Sequence, residues 1–224
     1  LYAKGGDALG GISTGGAGGG GRIALLAPGN VVQGIMNTSG GQTIRSPDGV
    51  SKTGLVLHYK FDEVNGTTVA KDSGPLGLNG VITGNPQSVP GVIGTAYRFD
   101  GDNDRVGKSN DSALHLSQYS VSFWIYPEKN NEVWTGLFGR QGRNYFFQLG
   151  DSNHGTRAYI HHRFHEGGNT NDGVGNAFLS AWDKWVHVVG TNDGNGGFAT
   201  TYLDGILSQQ VTVNGILGTT RPLP

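Results

Sequence analysis

The stretch that decides the fold is Tyr119-Ser120-Val121-Ser122-Phe123-Trp124-Ile125-Tyr126-Pro127. Its side chains alternate, so Val121, Phe123 and Ile125 share one face of an extended strand. The opposite face carries Ser122, Trp124 and Tyr126. Because neither face is wholly polar, we expect both to be covered, which is typical of a strand inside two packed sheets.

The same kind of pattern recurs along the chain and predicts an all-β protein. No window holds an apolar period of 3.6 residues long enough for a substantial helix, and clusters of Gly, Asn, Asp and Ser separate short β runs. Asp204-Gly205 predicts a tight hairpin turn, since both central residues of a type I′ turn need positive φ. The predicted strands are residues 55–61, 96–99, 120–126, 133–140, 145–149, 157–162, 185–191, 199–203 and 206–213.

Composition excludes several classes of protein. The 224 residues include 41 Gly, short of the one third with a strict three-residue period that collagen needs. No apolar run is long enough to span a membrane, and 16 basic against 17 acidic residues leave no basic stripe for nucleic acid. With no Cys, there is no disulfide framework, thiol nucleophile or zinc-thiolate site.

The first 54 residues differ from the rest. Gly pairs recur every five residues between 5 and 21, and a turn-rich stretch at 46–54 ends the segment. Two interpretations stay open: a flexible linker, or short stacked β elements of a repetitive stalk in which Gly permits close backbone approach. Residues 19–26 read as a Gly-rich loop followed by a short strand. We therefore predict a Gly-rich segment, 1–54, and one sandwich domain, 55–224.

Six phrases follow one another in order. They are Leu57-His58-Tyr59-Lys60-Phe61-Asp62-Glu63, Lys71-Asp72-Ser73-Gly74 through Asn79-Gly80, Gly94-Thr95-Ala96-Tyr97-Arg98-Phe99-Asp100-Gly101 through Val106, 119–127, Trp185-Val186-His187-Val188-Val189, and Tyr202-Leu203-Asp204-Gly205. In this order the chain from about residue 55 resembles the bacterial laminin G-like domains of the concanavalin A-like lectin/glucanase superfamily. Residues 19–26 in turn resemble Gly-rich repeats of large bacterial surface proteins.

The resemblance implies a jelly-roll sandwich of two antiparallel sheets. It implies function less narrowly, because such domains occur in lectins, adhesins, polysaccharide-degrading enzymes and spacers. Family members continue with further strands after the Asp-Gly hairpin. Without them the sandwich would have an open edge, or would need a strand from another segment.

Catalytic signatures are missing from the sequence. A glycosidase of this fold needs two carboxylates on one face, yet Asp62 and Glu63 are adjacent and so point to opposite faces of a strand. Asp100, Asp102 and Asp104 alternate, but Gly101 and Asn103 between them favour a turn. No Gly-x-Ser-x-Gly elbow is present. We therefore predict a non-enzymatic protein.

Two kinds of ligand group remain. A structural calcium ion would suit Asp72, which the resemblance implies as a ligand, together with Asn79; the alternative is that Asp72 caps its own turn. The histidines at 154, 161, 162 and 165 are interpreted as polar groups flanking a strand, with a pH-sensitive or ligand-facing patch as the alternative.

Sugar rings stack on exposed aromatic faces, and four side chains lie among Asn and Asp residues. They are Trp134, Tyr145, Tyr159 and Trp182. For each of them core packing is the competing interpretation, and Trp124 and Trp185 are assigned to packing.

Together these features predict a recognition or adhesion module of a large extracellular or cell-surface protein, binding glycan or protein. A structural spacer or self-assembling fibre subunit is the second interpretation. An accessory module of a polysaccharide-degrading enzyme is the third.

Overall fold

The computed structural model describes residues 18–26, 54–109, 111–128, 134–139, 145–151, 158–164, 173–179 and 182–215. Within these ranges the chain forms fifteen strands and a 3-10 helix at Ser112–Leu114. The strands are β1 Gly18–Leu26, β2 Leu55–Tyr59, β3 Val69–Ala70, β4 Gly80–Thr83, β5 Gln87–Pro90, β6 Thr95–Phe99, β7 Arg105–Gly107, β8 Tyr119–Pro127, β9 Trp134–Gly139, β10 Tyr145–Asp151, β11 Ala158–Phe164, β12 Gly173–Phe178, β13 Val186–Asn192, β14 Phe198–Leu203 and β15 Ile206–Thr212.

These strands form antiparallel sheets, as the sequence predicts. An eight-stranded sheet has the order β15-β14-β13-β8-β1-β6-β5, with β2 also paired to β1. A four-stranded sheet has the order β12-β11-β10-β9, and β3-β4-β7 form a third, small sheet. In the described part of the chain, no helix is long and apolar enough to cross a membrane.

Each of the nine predicted strands is present, with ends displaced by a few residues. The Asp204-Gly205 hairpin is also confirmed, because φ is 50° at Asp204 and 80° at Gly205. The sequence patterns did not indicate β3, β4, β5, β7 or β12, all of them six residues or shorter.

The core lies between the eight-stranded and four-stranded sheets. From β8, Val121, Phe123 and Ile125 point into it, and the Phe123 ring meets Phe147 of β10 edge-on at 5.6 Å. Gly190 of β13 lets the two sheets approach, since a Cβ there would lie 2.3 Å from Cζ of Phe147.

A buried histidine joins the two sheets by polar contacts. Nε2 of His162 lies 2.8 Å from the Tyr119 hydroxyl, and Nδ1 lies 3.1 Å from Oγ1 of Thr201. The imidazole ring also stacks on Phe147, with 4.3 Å between the ring centroids. Both ring nitrogens therefore have partners, which offsets the cost of burying a polar ring.

Strand β1 departs from the predicted division at residue 54. Residues 18–26 lie in the middle of the sheet, with β8 along one side and β6 followed by β2 along the other. For these residues the assignment to a separate segment needs correction, because their backbone completes the sandwich. The rest of residues 1–53 lies outside the described part of the chain.

Candidate functional site

The outer face of the eight-stranded sheet carries a group of aromatic rings. Because Val121, Phe123 and Ile125 point into the core, the alternation of β8 turns Trp124 and Tyr126 outward. Trp185, which directly precedes β13, and Tyr202 of β14 lie on the same side, by the same alternation. All four rings are half-buried. We call Trp124, Tyr126, Trp185 and Tyr202 the aromatic face.

The rings of this face contact one another and a histidine. Tyr126 meets Trp185 edge-on, with centroids 5.6 Å apart and planes at 70°. Trp124 lies 5.0 Å from the buried ring of His187. Such contacts fix the orientation of the rings, and rings held in one orientation suit stacking against a flat ligand.

A glycine residue of β1 lies beside the aromatic face. In the register of the sheet, Gly19 of β1 stands between Tyr126 of β8 and Arg98 of β6. Directly opposed residues of antiparallel strands point to the same face. Because glycine has no side chain, main chain alone separates Tyr126 from Arg98 at this point of the row, and we call this position the glycine groove.

An ion pair bridges this groove. The Nε and Nη2 atoms of Arg98 donate to the two carboxylate oxygens of Glu128 at 2.9 and 2.8 Å. The two residues belong to opposite sides of β1, so the pair reaches over the glycine strand. Glu128 holds the pKa of the guanidinium above its usual value, through the hydrogen bonds first and the charge second.

Ser122 and His187 form a hydrogen-bonded pair next to Trp124. Oγ of Ser122 lies 2.9 Å from Nε2 of His187, a contact that sequence spacing did not indicate because 65 residues separate the two. Asp204 accepts from the main-chain N–H of His187 at 2.9 Å and leaves the ring nitrogen Nδ1 alone. A catalytic triad needs the acid on the other ring nitrogen, so this pair lacks its third member.

Burial lowers the pKa of His187 to about 4, against a smaller opposing effect of the Asp204 charge. The ring is therefore neutral at pH 7 and a weak proton acceptor, since an effective general base has a pKa near the working pH. The Ser122–His187 pair suits hydrogen bonding better than acid–base chemistry.

Two nitrogen atoms of this region are buried without hydrogen bonds to the described residues. Nδ1 of His187 and Nε1 of Trp124 have no hydrogen-bond partner among the residues that the structure describes. An unsatisfied buried polar atom costs about 1–3 kcal/mol, so native proteins rarely keep one without water or a ligand. The two rings that carry these atoms contact each other.

The fold and the strand order agree with a match between the sequence and a protein-family model. Residues 99–223, more than half of the chain, match the laminin G-type model of the concanavalin A-like lectin/glucanases superfamily. The chain belongs to this family. No curated protein and no solved structure matches the chain. Of the six sequence phrases, those before Phe99 fall outside the matched residues.

In this laminin G-like domain, two of the four predicted sugar platforms are buried. Tyr145 is 2% exposed, stacks on Phe138 and donates from its hydroxyl to the carbonyl of Leu114. Tyr159 is 7% exposed, and its ring covers Gly150, where a Cβ would meet it at 2.5 Å. For both residues the platform prediction needs correction, because their faces are turned to protein atoms.

Of the other two predicted platforms, Trp182 lies between β12 and β13, and Trp134 begins β9. Trp182 is half-buried against the core, and its Nε1 is buried without a described partner. Trp134 begins β9 and stands opposite Gly150, in one row with Tyr159 and Phe178 on the outer face of the four-stranded sheet. The side chain of Trp134 lies outside the described part, so its role stays a prediction.

The sequence assigns Trp124 and Trp185 to packing, and in the structure both are half-buried and pack against neighbouring rings. The alternation of residues 119–127 shows that Trp124 and Phe123 point to opposite faces of the strand. It does not show which of the two faces meets the second sheet.

The loop that carries Asp72 and Asn79 brings the two predicted calcium ligands together. Oδ1 of Asp72 accepts from the N–H groups of His58 and Gly74, and Oδ2 accepts from that of Leu78, at 2.7–2.8 Å. Oδ1 of Asn79 accepts from the N–H of Asp72 at 2.9 Å.

These bonds use three of about four lone pairs of the carboxylate, whereas calcium takes six to eight oxygen ligands. Among the described residues, no group of three or more His, Cys, Asp or Glu side chains could hold a metal ion. The calcium site stays a prediction that requires further oxygen ligands, while the turn-capping alternative accounts for the bonds seen.

The acidic stretch 100–104 forms a turn, and the two described histidines of β11 lie on opposite faces of the strand, as their spacing predicts. Asp100 accepts from the N–H groups of Asp102, Asn103 and Asp104, so this stretch is a turn. His161 and His162 point to opposite faces of β11, His162 to the core. His154 and His165 lie outside the described residues.

Proposed function

We propose that this laminin G-like domain is a non-catalytic recognition module that binds carbohydrate along the glycine groove and the aromatic face. One observation carries the proposal: the half-buried rings of Trp124, Tyr126 and Trp185 stand together on the outer face of the eight-stranded sheet, beside a glycine strand. Rings of this kind stack on the apolar faces of sugars.

Charge on this face favours a neutral or weakly polar ligand. Arg98 and Glu128 neutralise each other in the ion pair, and the whole chain has a formal net charge of −1. A strongly anionic glycan would need a cluster of unpaired basic groups. We therefore expect a neutral polysaccharide, with the ion pair forming hydrogen bonds to hydroxyl groups at the rim of the groove.

The two carboxylates next to this face support a non-catalytic role. Glu128 is held by Arg98, and Asp204 accepts from the main chain of His187. Glycoside hydrolysis needs a proton donor and a nucleophile or base free to act on the substrate. We place the domain in an extracellular or cell-surface protein, as is typical of laminin G-like domains, with bacterial origin as part of the same proposal.

The experiment is a glycan array of neutral and charged polysaccharides with four proteins. They are the wild-type chain, a Tyr126→Ala/Trp185→Ala variant, a Phe178→Ala variant and a Trp134→Ala variant. Phe178 is a matched control, because it is an aromatic residue, 39% exposed, on the opposite outer face. Loss of two stacking contacts of about 1 kcal/mol each should weaken binding at least tenfold.

Binding that survives in Tyr126→Ala/Trp185→Ala but is lost in Phe178→Ala or Trp134→Ala would place the ligand on the four-stranded sheet instead. A silent array with folded protein would contradict carbohydrate binding. The absence of binding on the array would favour a protein ligand or the structural spacer.

A further inference from the structure

Strand β1 is the element that joins the two halves of the eight-stranded sheet. On one side it pairs with β8 from Gly18↔Pro127 to Leu26↔Ser120. On the other side its first residues pair with β6 and its last with β2. Strands β15, β14, β13 and β8 therefore connect to β2, β6 and β5 through β1 within the described sheet.

Without β1 the sheet would contain a slot one strand wide. The edge of β8 on one side and the edges of β2 and β6 on the other would expose unpaired main-chain N–H and C=O groups. Such an edge is a template for an added strand, and main-chain pairing sets few demands on the incoming sequence. The slot can therefore accept β1 of its own chain or β1 of a second copy, because both fit the same register.

The connection between β1 and β2 does not force β1 into the slot of its own chain. Residues 27–53 separate Leu26 from the turn at Gly54. A hairpin of two to five residues would compel neighbouring strands to pair within one chain. A connection of this length can reach roughly 90 Å when extended, at about 3.3 Å per residue, and so can reach a second copy.

The composition of β1 also limits how firmly it is held. Gly18, Gly19, Gly20 and Gly21 make up its first half, so that half contributes hydrogen bonds and no buried side chain. Burial of apolar side chains is what makes one placement of a strand much more favourable than another. A glycine half-strand therefore forms an equivalent set of bonds in any slot of the same register.

From these observations we propose that β1 is exchanged between copies of this chain, residues 18–26 of one chain filling the slot between β8 and β2/β6 of a second copy. Reciprocal exchange gives a closed dimer, and successive exchange gives an open fibre. A tether of this kind supplies an effective concentration of about 1 mM for insertion within one chain. Exchange therefore grows as the total concentration of protein approaches that value, as on a crowded surface.

The test uses the absence of Cys from the natural chain. In the register, Ala24 of β1 stands opposite Ser122 of β8, and Ser122→Cys and Ala24→Cys are both small changes. One full-length chain carries Ala24→Cys and a second carries Ser122→Cys. The two are mixed at concentrations from 10 μM to 1 mM, oxidised with copper phenanthroline and resolved on a non-reducing gel.

We expect a disulfide-linked heterodimer whose fraction rises with total concentration. A control mixture of Ala24→Cys with Gln210→Cys, at an exposed position of β15, should give no more than a collisional background. A chain with both Ala24→Cys and Ser122→Cys should close its disulfide within the monomer when dilute.

Two outcomes would overturn the proposal. One is a heterodimer fraction at 1 mM equal to that of the Gln210→Cys control. The other is a heterodimer fraction that stays constant from 10 μM to 1 mM. Neither outcome bears on carbohydrate binding, which the glycan array measures separately.

Discussion

Arg98 and Glu128 form a bidentate ion pair that spans a glycine strand lying between them. Neither residue belongs to that strand: Arg98 lies on β6, and Glu128 directly follows β8. In the register, Gly19 stands opposite Arg98 on one side and opposite Tyr126, two residues before Glu128, on the other. The glycines of β1 therefore shape both the groove and the ion pair.

Replacing Arg98 should separate the binding role of this pair from a structural one. Arg98 is 57% exposed, and exposed ion pairs contribute about 0–1 kcal/mol. We expect Arg98→Gln to change the melting temperature by only a few degrees and to weaken binding of a glycan found on the array about fivefold. Calorimetry of both properties measures this; a large fall in melting temperature with unchanged affinity would contradict it.

Asp72 should stabilise its loop without any metal ion. Asp72→Ala removes the acceptor of three main-chain N–H groups, and we expect the free energy of unfolding to fall by about 3 kcal/mol, near 1 kcal/mol for each bond. Urea unfolding measures the change. Asp102→Ala is the matched control, since its carboxylate accepts one exposed bond at 3.4 Å.

The calcium prediction is tested on the wild-type chain. A bound calcium ion raises the melting temperature by mass action, and EDTA reverses the effect. If Asp72 and Asn79 are ligands, the response disappears in Asp72→Ala. Identical melting curves of the wild type in millimolar calcium and in EDTA would exclude a stabilising calcium site in this domain.

Stability should fall as the pH drops below 6.5, because of two buried histidines. Burial lowers the pKa of His162 to about 3 and that of His187 to about 4. The unfolded chain binds protons at a pKa near 6.5, so between about pH 6 and pH 4 it holds more protons than the folded chain. Each histidine then lowers the free energy of unfolding by up to about 1.4 kcal/mol per pH unit.

Urea unfolding at pH 7.5, 6.0 and 5.0 measures this slope. Thr201 and Tyr119 bond to the His162 ring, and His161 lies near enough to add to its low pKa. Because His162→Gln removes one titrating ring, it should reduce the slope by one proton while lowering stability at every pH. A slope unchanged in His162→Gln would show that this ring does not titrate on unfolding.

Gly190→Ala should destabilise the core. The new Cβ would lie 2.3 Å from Cζ and 2.4 Å from Cε1 of Phe147, so the ring must move, at a cost of about 1–3 kcal/mol. Gly107→Ala is the matched control in β7, where a Cβ meets nothing within 4 Å. Equal melting temperatures of the two variants would contradict the close approach of the sheets at Gly190.

The aromatic residues show how much of the burial pattern can be predicted from the sequence. Tyr145 and Trp124 both lie on strands that the pattern predicts, and in both strands aromatic residues occupy both faces. Alternation separates the two faces of a strand, but it does not say which face meets the other sheet. Tyr145 is therefore buried and Trp124 half-buried, although the sequence predicts a sugar platform at Tyr145 and packing at Trp124.

By itself the sequence determined what local physics controls: the all-β class, nine strands and the Asp204-Gly205 hairpin, because a period of two and a turn with positive φ are properties of neighbouring residues. Only the tertiary structure decided the place of β1 in the sheet, the Arg98–Glu128 pair across it and the Ser122–His187 contact. Each of these joins residues far apart in the chain, and a strand of glycines carries hydrogen bonds but no side-chain pattern to reveal its neighbours.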